Sequence, residues 1–68
     1  MIRTVMKVGD VWFNPDPLKF YLISQVGVDG DVRGRVIDLR MGILRNSECI
    51  TDDGHAATHW ILLGENGE

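Results

Sequence analysis

The stretch KFYLISQVGVDGDVRGRVIDLRM, residues 19–41, decides the fold class, because it has the pattern of a β-hairpin. Side chains alternate along its first run, Lys19–Val28, so that Phe20 and Tyr21 lie on opposite faces of the predicted strand. Asp29-Gly30-Asp31 follows, and an Asp-Gly pair favours the positive φ angles of a tight hairpin turn. Two antiparallel strands are therefore predicted at the centre of the chain.

The second run of this stretch, Val32–Met41, breaks the strict alternation of a strand. Arg33 and Arg35 share their parity with three aliphatic residues further along, so a regular strand would mix charged and apolar side chains on one face. A β-bulge near Gly34 would resolve the conflict by turning the arginines outward and the aliphatic side chains inward. These aliphatic residues are Ile37, Leu39 and Met41.

Outside the hairpin, three more short runs rich in β-branched and aromatic residues predict strands: Val8–Phe13, Ile43–Ile50 and His59–Leu63. Asn14-Pro15-Asp16-Pro17 ends the first, because proline cannot donate to a strand ladder. His55–Thr58 predicts a single helical turn capped by Asp53. Five short strands with tight turns favour closure into a small all-β barrel, which leaves no open edge.

Length and composition limit the classes of function. With 68 residues the chain forms one domain, predicted over residues 1–63, and the glycine-rich segment 64–68 is predicted to be a flexible tail. So small a domain offers little room for an enclosed active-site cleft, so we expect no enzymatic activity and no catalytic residue. We also expect no cofactor.

Charge, apolar runs and cysteine content predict the cellular compartment of the protein. A net charge of −3 gives no general attraction to nucleic acid or to an anionic membrane. The apolar runs are all too short for a membrane span, and the first residues lack the pattern of a signal peptide. Cys49 stands alone, so no internal disulfide forms. We therefore expect a cytoplasmic protein with no membrane contact.

Three segments together resemble the frame of small bacterial and bacteriophage Src-homology-3-like proteins. They are Lys7-Val8-Gly9-Asp10-Val11-Trp12, Phe20-Tyr21-Leu22-Ile23 and Trp60-Ile61-Leu62-Leu63. In that group a Gly-Asp-x-Trp opening strand and a Trp-bearing final strand bracket the barrel. The resemblance implies a five-stranded Src-homology-3-like barrel and a small accessory or phage-encoded factor that binds and modulates a host protein.

The opening strand alone also resembles the toxin endoribonucleases of the MazF/PemK kind. Gly9-Asp10-Val11-Trp12 followed by Asp16-Pro17 matches their first strand and Asp-Pro. The match ends there, since no Arg-Pro and apolar strand follow Pro17 and the chain is much shorter than that family. A toxin-like endoribonuclease is thus the third functional hypothesis, and no catalytic residue is carried over.

Four arginines dominate the charge pattern between residues 33 and 45, against the single carboxylate of Asp38. On adjacent strands they would line one face and meet phosphates, which gives a second hypothesis, an Arg-rich nucleic-acid-binding face. An ordinary solvated sheet face explains the same pattern, and the negative net charge favours that interpretation. The four residues are Arg33, Arg35, Arg40 and Arg45.

Two tryptophans, two phenylalanines and one tyrosine are many aromatic residues for so small a domain. Core packing accounts for most of them, but Trp, Tyr and Arg left on the surface are the residues enriched in interaction hot spots. The leading hypothesis is therefore a non-enzymatic module that binds another protein or a second copy of itself. Its predicted binding residues are Trp12, Tyr21 and the four arginines.

A metal site is a further candidate, because Asp52, His55 and His59 lie close to Cys49 in the sequence. Structural zinc requires about four ligands, and no Cys-x-x-Cys is present. We therefore predict surface histidines and no metal.

Overall fold

A computed structural model describes residues 5–64, and within that range the chain is all β, without a helix. The five strands are β1 Val11–Asn14, β2 Lys19–Val26, β3 Val32–Asp38, β4 Ile43–Thr51 and β5 Ile61–Gly64. They form one antiparallel sheet in the order β4-β3-β2-β1-β5. The prediction of five antiparallel strands is confirmed. Of the predicted tail, residues 64–68, Gly64 belongs to β5 and residues 65–68 lie outside the described range.

The sheet is not closed into a barrel, so that part of the prediction is wrong. β4 pairs only with β3 and β5 only with β1, which leaves both as edge strands of the described sheet. Closure is not needed to cover the core, because the segment from residue 52 to 60 crosses one face of the sheet. Ala56 is buried in this segment, and Trp60 packs against the core.

The predicted helical turn at residues 55–58 is also absent. Asp53 accepts hydrogen bonds from the backbone N–H of His55, at 3.0 Å, and from the hydroxyl of Thr51, at 2.6 Å. These two bonds lower the pKa of the Asp53 carboxyl, the Thr51 bond most. Asp53 is therefore not a helix cap as predicted: its side chain closes an Asx turn, and no helix follows.

The hairpin between β2 and β3 is confirmed, although its loop is longer than a two-residue turn. Gly27 N–H donates to the carbonyl of Asp31 at 2.8 Å, and Gly30 takes the predicted positive φ, 91°. The predicted irregularity near Gly34 is confirmed too. The register of β2 shifts between Ile23 and Gln25, and that of the β3–β4 pair shifts between Gly34 and Val36.

The prediction for β3 is confirmed in part: Arg33 and Arg35 face outward as predicted, but no bulge lies on β3 itself. The extra residues lie on β2 and β4, where Ser47 has a φ of 58°, while β3 itself alternates regularly. Val32 and Val36 point into the core and Arg33 and Arg35 point out. A Cβ at Gly34 would overlap the carbonyl oxygen of Leu22, so only glycine allows β2 to approach β3 here. The expectation for the aliphatic side chains is wrong: Ile37 is only half-buried, and Leu39 and Met41 are exposed.

The core lies on one face of the sheet, called here the inner face. Seven buried hydrophobic residues of the range 5–64 form it, and Ile50, Trp60 and Leu62 pack against them. The seven are Met6, Trp12, Tyr21, Ile23, Val32, Val36 and Ala56.

The Gly9-Asp10-x-Trp12 motif orders the entry to β1. Gly9 has a φ of 92°, and the buried Asp10 carboxylate accepts the indole N–H of Trp12 at 3.2 Å and the backbone N–H of Lys7 at 2.8 Å. Backbone bonds between Asp10, Gly9 and Ile23 extend the pairing toward β2. This motif therefore fixes where Trp12 enters the core.

Candidate protein-interaction surface

The second face of the sheet, called here the outer face, is also apolar. Strand alternation places every residue that flanks an inward-pointing one on this side. On β1 and β2 they include Phe13 and Phe20, which are Cα partners with ring centroids 4.9 Å apart. Neither aromatic ring belongs to the buried core.

This pair is the centre of a continuous row, because directly opposed residues of antiparallel strands project from the same face. Phe20 is opposite Ile37 of β3, and Ile37 is opposite Leu44 of β4. In the other direction Phe13 is opposite Ile61 of β5. The outer row, in sheet order, consists of Leu44, Ile37, Phe20, Phe13 and Ile61.

The two ends of the outer row are its most exposed members. Leu44 is 55% exposed and Ile61 49%, whereas the three residues between them are half-buried against their neighbours. Val11 and Leu22 form a second apolar pair beside the row, and the exposed Leu63 has the same parity as Ile61. The outer face is thus a broad apolar surface, of the kind that marks interaction sites in small soluble domains.

The predicted aromatic anchors are not on this surface. Trp12 is 2% exposed and Tyr21 7%, and the two are Cα partners on the inner face. Their assignment as partner-binding residues is therefore wrong. The strand parity that buries Trp12 also buries Tyr21, because opposed residues share a face. The same parity puts Phe13 and Phe20 together on the opposite face.

The four arginines do not form one face. Arg33 and Arg35 project outward from β3, and Arg35 is opposite Leu22 beside the outer row. Arg45 is the partner of the buried Val36, so it lies on the inner-face side of β4. Arg40 lies in the turn after β3, where its backbone N–H donates to Asp38 Oδ1 at 3.0 Å. The dispersed charges give no continuous track for a phosphate backbone.

Arg33 is part of a small surface cluster. Its Nε is 2.9 Å from Asp31 Oδ2, and its Nη1 donates to the carbonyl of Ser47 at 3.3 Å. The thiol of Cys49 donates to Asp31 Oδ1 at 3.2 Å. The Cys49 bond, and then that of Arg33, lowers the pKa of Asp31. The same Asp31 bond, and then burial, raises the pKa of Cys49, which opposes formation of a reactive thiolate.

A polar network lies on the inner face at the end of β1. Asn14 is buried, and its Nδ2 donates to the hydroxyl of Tyr21 at 3.2 Å. Its Oδ1 accepts the backbone N–H of Asp16 at 3.2 Å and lies 3.1 Å from Nε2 of His59. Trp60 stacks on Tyr21 with ring centroids 4.6 Å apart. The network ties the loop after β1 to the segment before β5.

The two histidines, which were predicted to lie at the surface, contact different residues. His59 faces Asn14, whereas His55 Nδ1 lies 2.7 Å from the carbonyl oxygen of Asp53. Among residues 5–64, no three His, Cys, Asp or Glu side chains come together as a metal site.

A shallow cleft of about 350 Å³ lies where β4 passes the inner face. Tyr21 forms part of its wall, and its charged lining is balanced between two cations and two carboxylates. That balance selects neither an anionic nor a cationic ligand. The charged residues are Lys19, Arg45, Asp38 and Glu48.

Comparisons with known proteins give no relative for this chain: no family model, no curated protein and no solved structure matches it. In the described part of the chain, no helix is long and apolar enough to cross a membrane. The geometry of the outer face is therefore the main guide to function.

Proposed function

We propose that the chain is a non-enzymatic protein-interaction module whose binding surface is the outer face of the sheet. The observation that carries the proposal is the outer row, an unbroken line of five apolar side chains with one from every strand. A partner of matching chemistry is a protein surface that is itself apolar and nearly free of charge.

Charge placement supports a protein partner over a nucleic acid. Among the described residues, the charged side chains that project from β1, β2, β3 and β5 on this side are Arg33 and Arg35, at one edge of the apolar surface. Arg33 is already paired with Asp31. Desolvating the outer row therefore costs little, because it holds no charge that would lose its hydration.

Site-specific photocrosslinking in living bacterial cells tests the proposal. A benzophenone amino acid replaces Leu44, at the end of the outer row, and in a control variant it replaces Val28, which is fully exposed in the β2–β3 loop. We expect protein adducts at position 44, with the chain itself or with another protein, at several times the yield at position 28. Equal yields at the two positions would contradict an interaction surface on the outer face.

A further inference from the structure

We propose that the shallow cleft where β4 passes the inner face binds a free α-amino acid in its zwitterionic form. The volume of the cleft, about 350 Å³, falls at the lower end of the ~300–1,000 Å³ typical of small-molecule sites. Its lining mixes two cations with two carboxylates, so a ligand of one sign meets repulsion as well as attraction. A small ligand that carries both charges avoids that repulsion.

Strand pairing sets the order of the charged side chains along the cleft. They lie in three successive rows across the inner face, and the rows are two residues, or about 6.7 Å, apart on β3. In order, the rows are Glu48 opposite Gly34, Arg45 opposite Val36, and Lys19 opposite Asp38. The carboxylate of Glu48 therefore stands at one end, and both cations lie toward the other.

The cation-rich end suits the carboxylate of a ligand, because Asp38 is already used by the protein. Its Oδ1 accepts the backbone N–H of Arg40 at 3.0 Å and that of Met41 at 3.2 Å, in the turn after β3. These bonds offset part of the Asp38 charge, so Lys19 and Arg45 outweigh it at this end.

The opposite end suits an ammonium group, because Glu48 is half-buried and faces a glycine across the strands. Gly34 has no side chain that could pair with the carboxylate. Within residues 5–64, Glu48 forms no ion pair, and neither do Lys19 and Arg45. The charge of Glu48 also raises the pKa of Arg33, but the guanidinium of Arg33 is bonded to Asp31.

The dimensions of an α-amino acid match this arrangement. Its ammonium and carboxylate share one carbon, so with a charge-assisted hydrogen bond of ~2.8 Å at each end it spans a gap of the size between the Glu48 and Arg45 rows. The guanidinium of Arg45 can hold a carboxylate through two parallel bonds. Because the cleft is open to water, which screens these charges, we expect a dissociation constant on the order of 1 mM.

Titration of the ¹⁵N-labelled chain with L-alanine, followed by two-dimensional NMR up to about 20 mM ligand, tests the proposal above the expected constant. We expect saturable shifts at the amides of Gly34, Val36, Arg45 and Glu48, and no comparable shifts in β5. N-acetyl-L-alanine and L-alaninamide each keep only one of the two charges and should bind about tenfold more weakly or worse.

Glu48→Gln and Arg45→Gln should each raise the dissociation constant for L-alanine by about tenfold or more, because each removes one of the two charged contacts. Arg35→Gln is the matched control: it removes the same kind of cation from the outer side of β3 and should leave the constant unchanged. The same spectra show whether each variant is folded.

Absence of saturable shifts with L-alanine would overturn the proposal, as would unchanged binding in Glu48→Gln. If N-acetyl-L-alanine bound as well as L-alanine, the cleft would be a simple anion site and the zwitterion assignment would be wrong. The outer face takes no part in this site, so failure here is distinct from failure of the proposed function.

Discussion

The inner and outer faces of the sheet carry similar numbers of apolar side chains but differ in what covers them. On the inner face, the segment from residue 52 to 60 and Met6 cover Trp12 and Tyr21, which are nearly inaccessible. On the outer face, Leu44 and Ile61 stay about half exposed. Hydrophobicity alone therefore does not identify the core of this protein; what decides is the face over which the connecting segments pass.

The largest expected difference between the faces is in stability. Trp12→Ala should lower the free energy of unfolding by about 4 kcal/mol, because it empties the centre of the core. That loss is comparable with the whole stability expected of a small domain, about 3–10 kcal/mol. Ile61→Ala, on the outer face, should cost less than about 1 kcal/mol.

Urea unfolding of the two variants at the same few-micromolar concentration measures both losses. Equal losses for Trp12→Ala and Ile61→Ala would mean that the two faces are equally buried, contrary to the structure.

A smaller difference in stability between the faces is expected when a single hydroxyl is removed from the inner face or added to the outer face. Tyr21→Phe removes the acceptor for Asn14 Nδ2 inside the core and should cost about 1–2 kcal/mol, because it leaves a buried donor without that bond. Phe20→Tyr adds a hydroxyl on the outer face, where water can solvate it, and should change stability by less than about 0.5 kcal/mol.

The neighbouring positions 20 and 21 thus form a matched pair, one on each face. Thermal or urea unfolding of the two variants compares them directly. A loss for Phe20→Tyr as large as that for Tyr21→Phe would show that the outer face is desolvated in the single chain.

The smallest effect on folding is expected at the surface cluster beside the sheet. Asp31→Asn removes the negative acceptor that raises the Cys49 pKa, so this pKa should fall toward its ordinary value. More thiolate then forms near neutral pH, and alkylation by iodoacetamide should become faster.

The measurement is the pH dependence of the alkylation rate, which should shift to lower pH in Asp31→Asn with little change in unfolding free energy. Arg33→Gln is the matched control. It removes the other partner of Asp31, whose nearby positive charge lowers the Cys49 pKa, so its profile should shift in the opposite direction if at all. An unchanged profile in Asp31→Asn would contradict control by the Asp31 bond.

Local sequence patterns determined the strands and turns of this protein. Glycine at positions 30 and 42 takes positive φ at the predicted turns, and the β-branched runs between the turns pair as strands. These features depend on the steric preferences of a few adjacent residues, so they can be predicted without knowledge of the fold.

Tertiary structure alone decided which face became the core and whether the sheet closed. Alternation separates Phe20 from Tyr21 but does not say which of the two is covered. That depends on the path of the segment from residue 52 to 60, which packs Ala56 and Trp60 on the Tyr21 side. The arginines show the same limit: alternation along β3 keeps Arg33 and Arg35 on one face, but only the pairing of β4 with β3 places Arg45 opposite Val36 on the other.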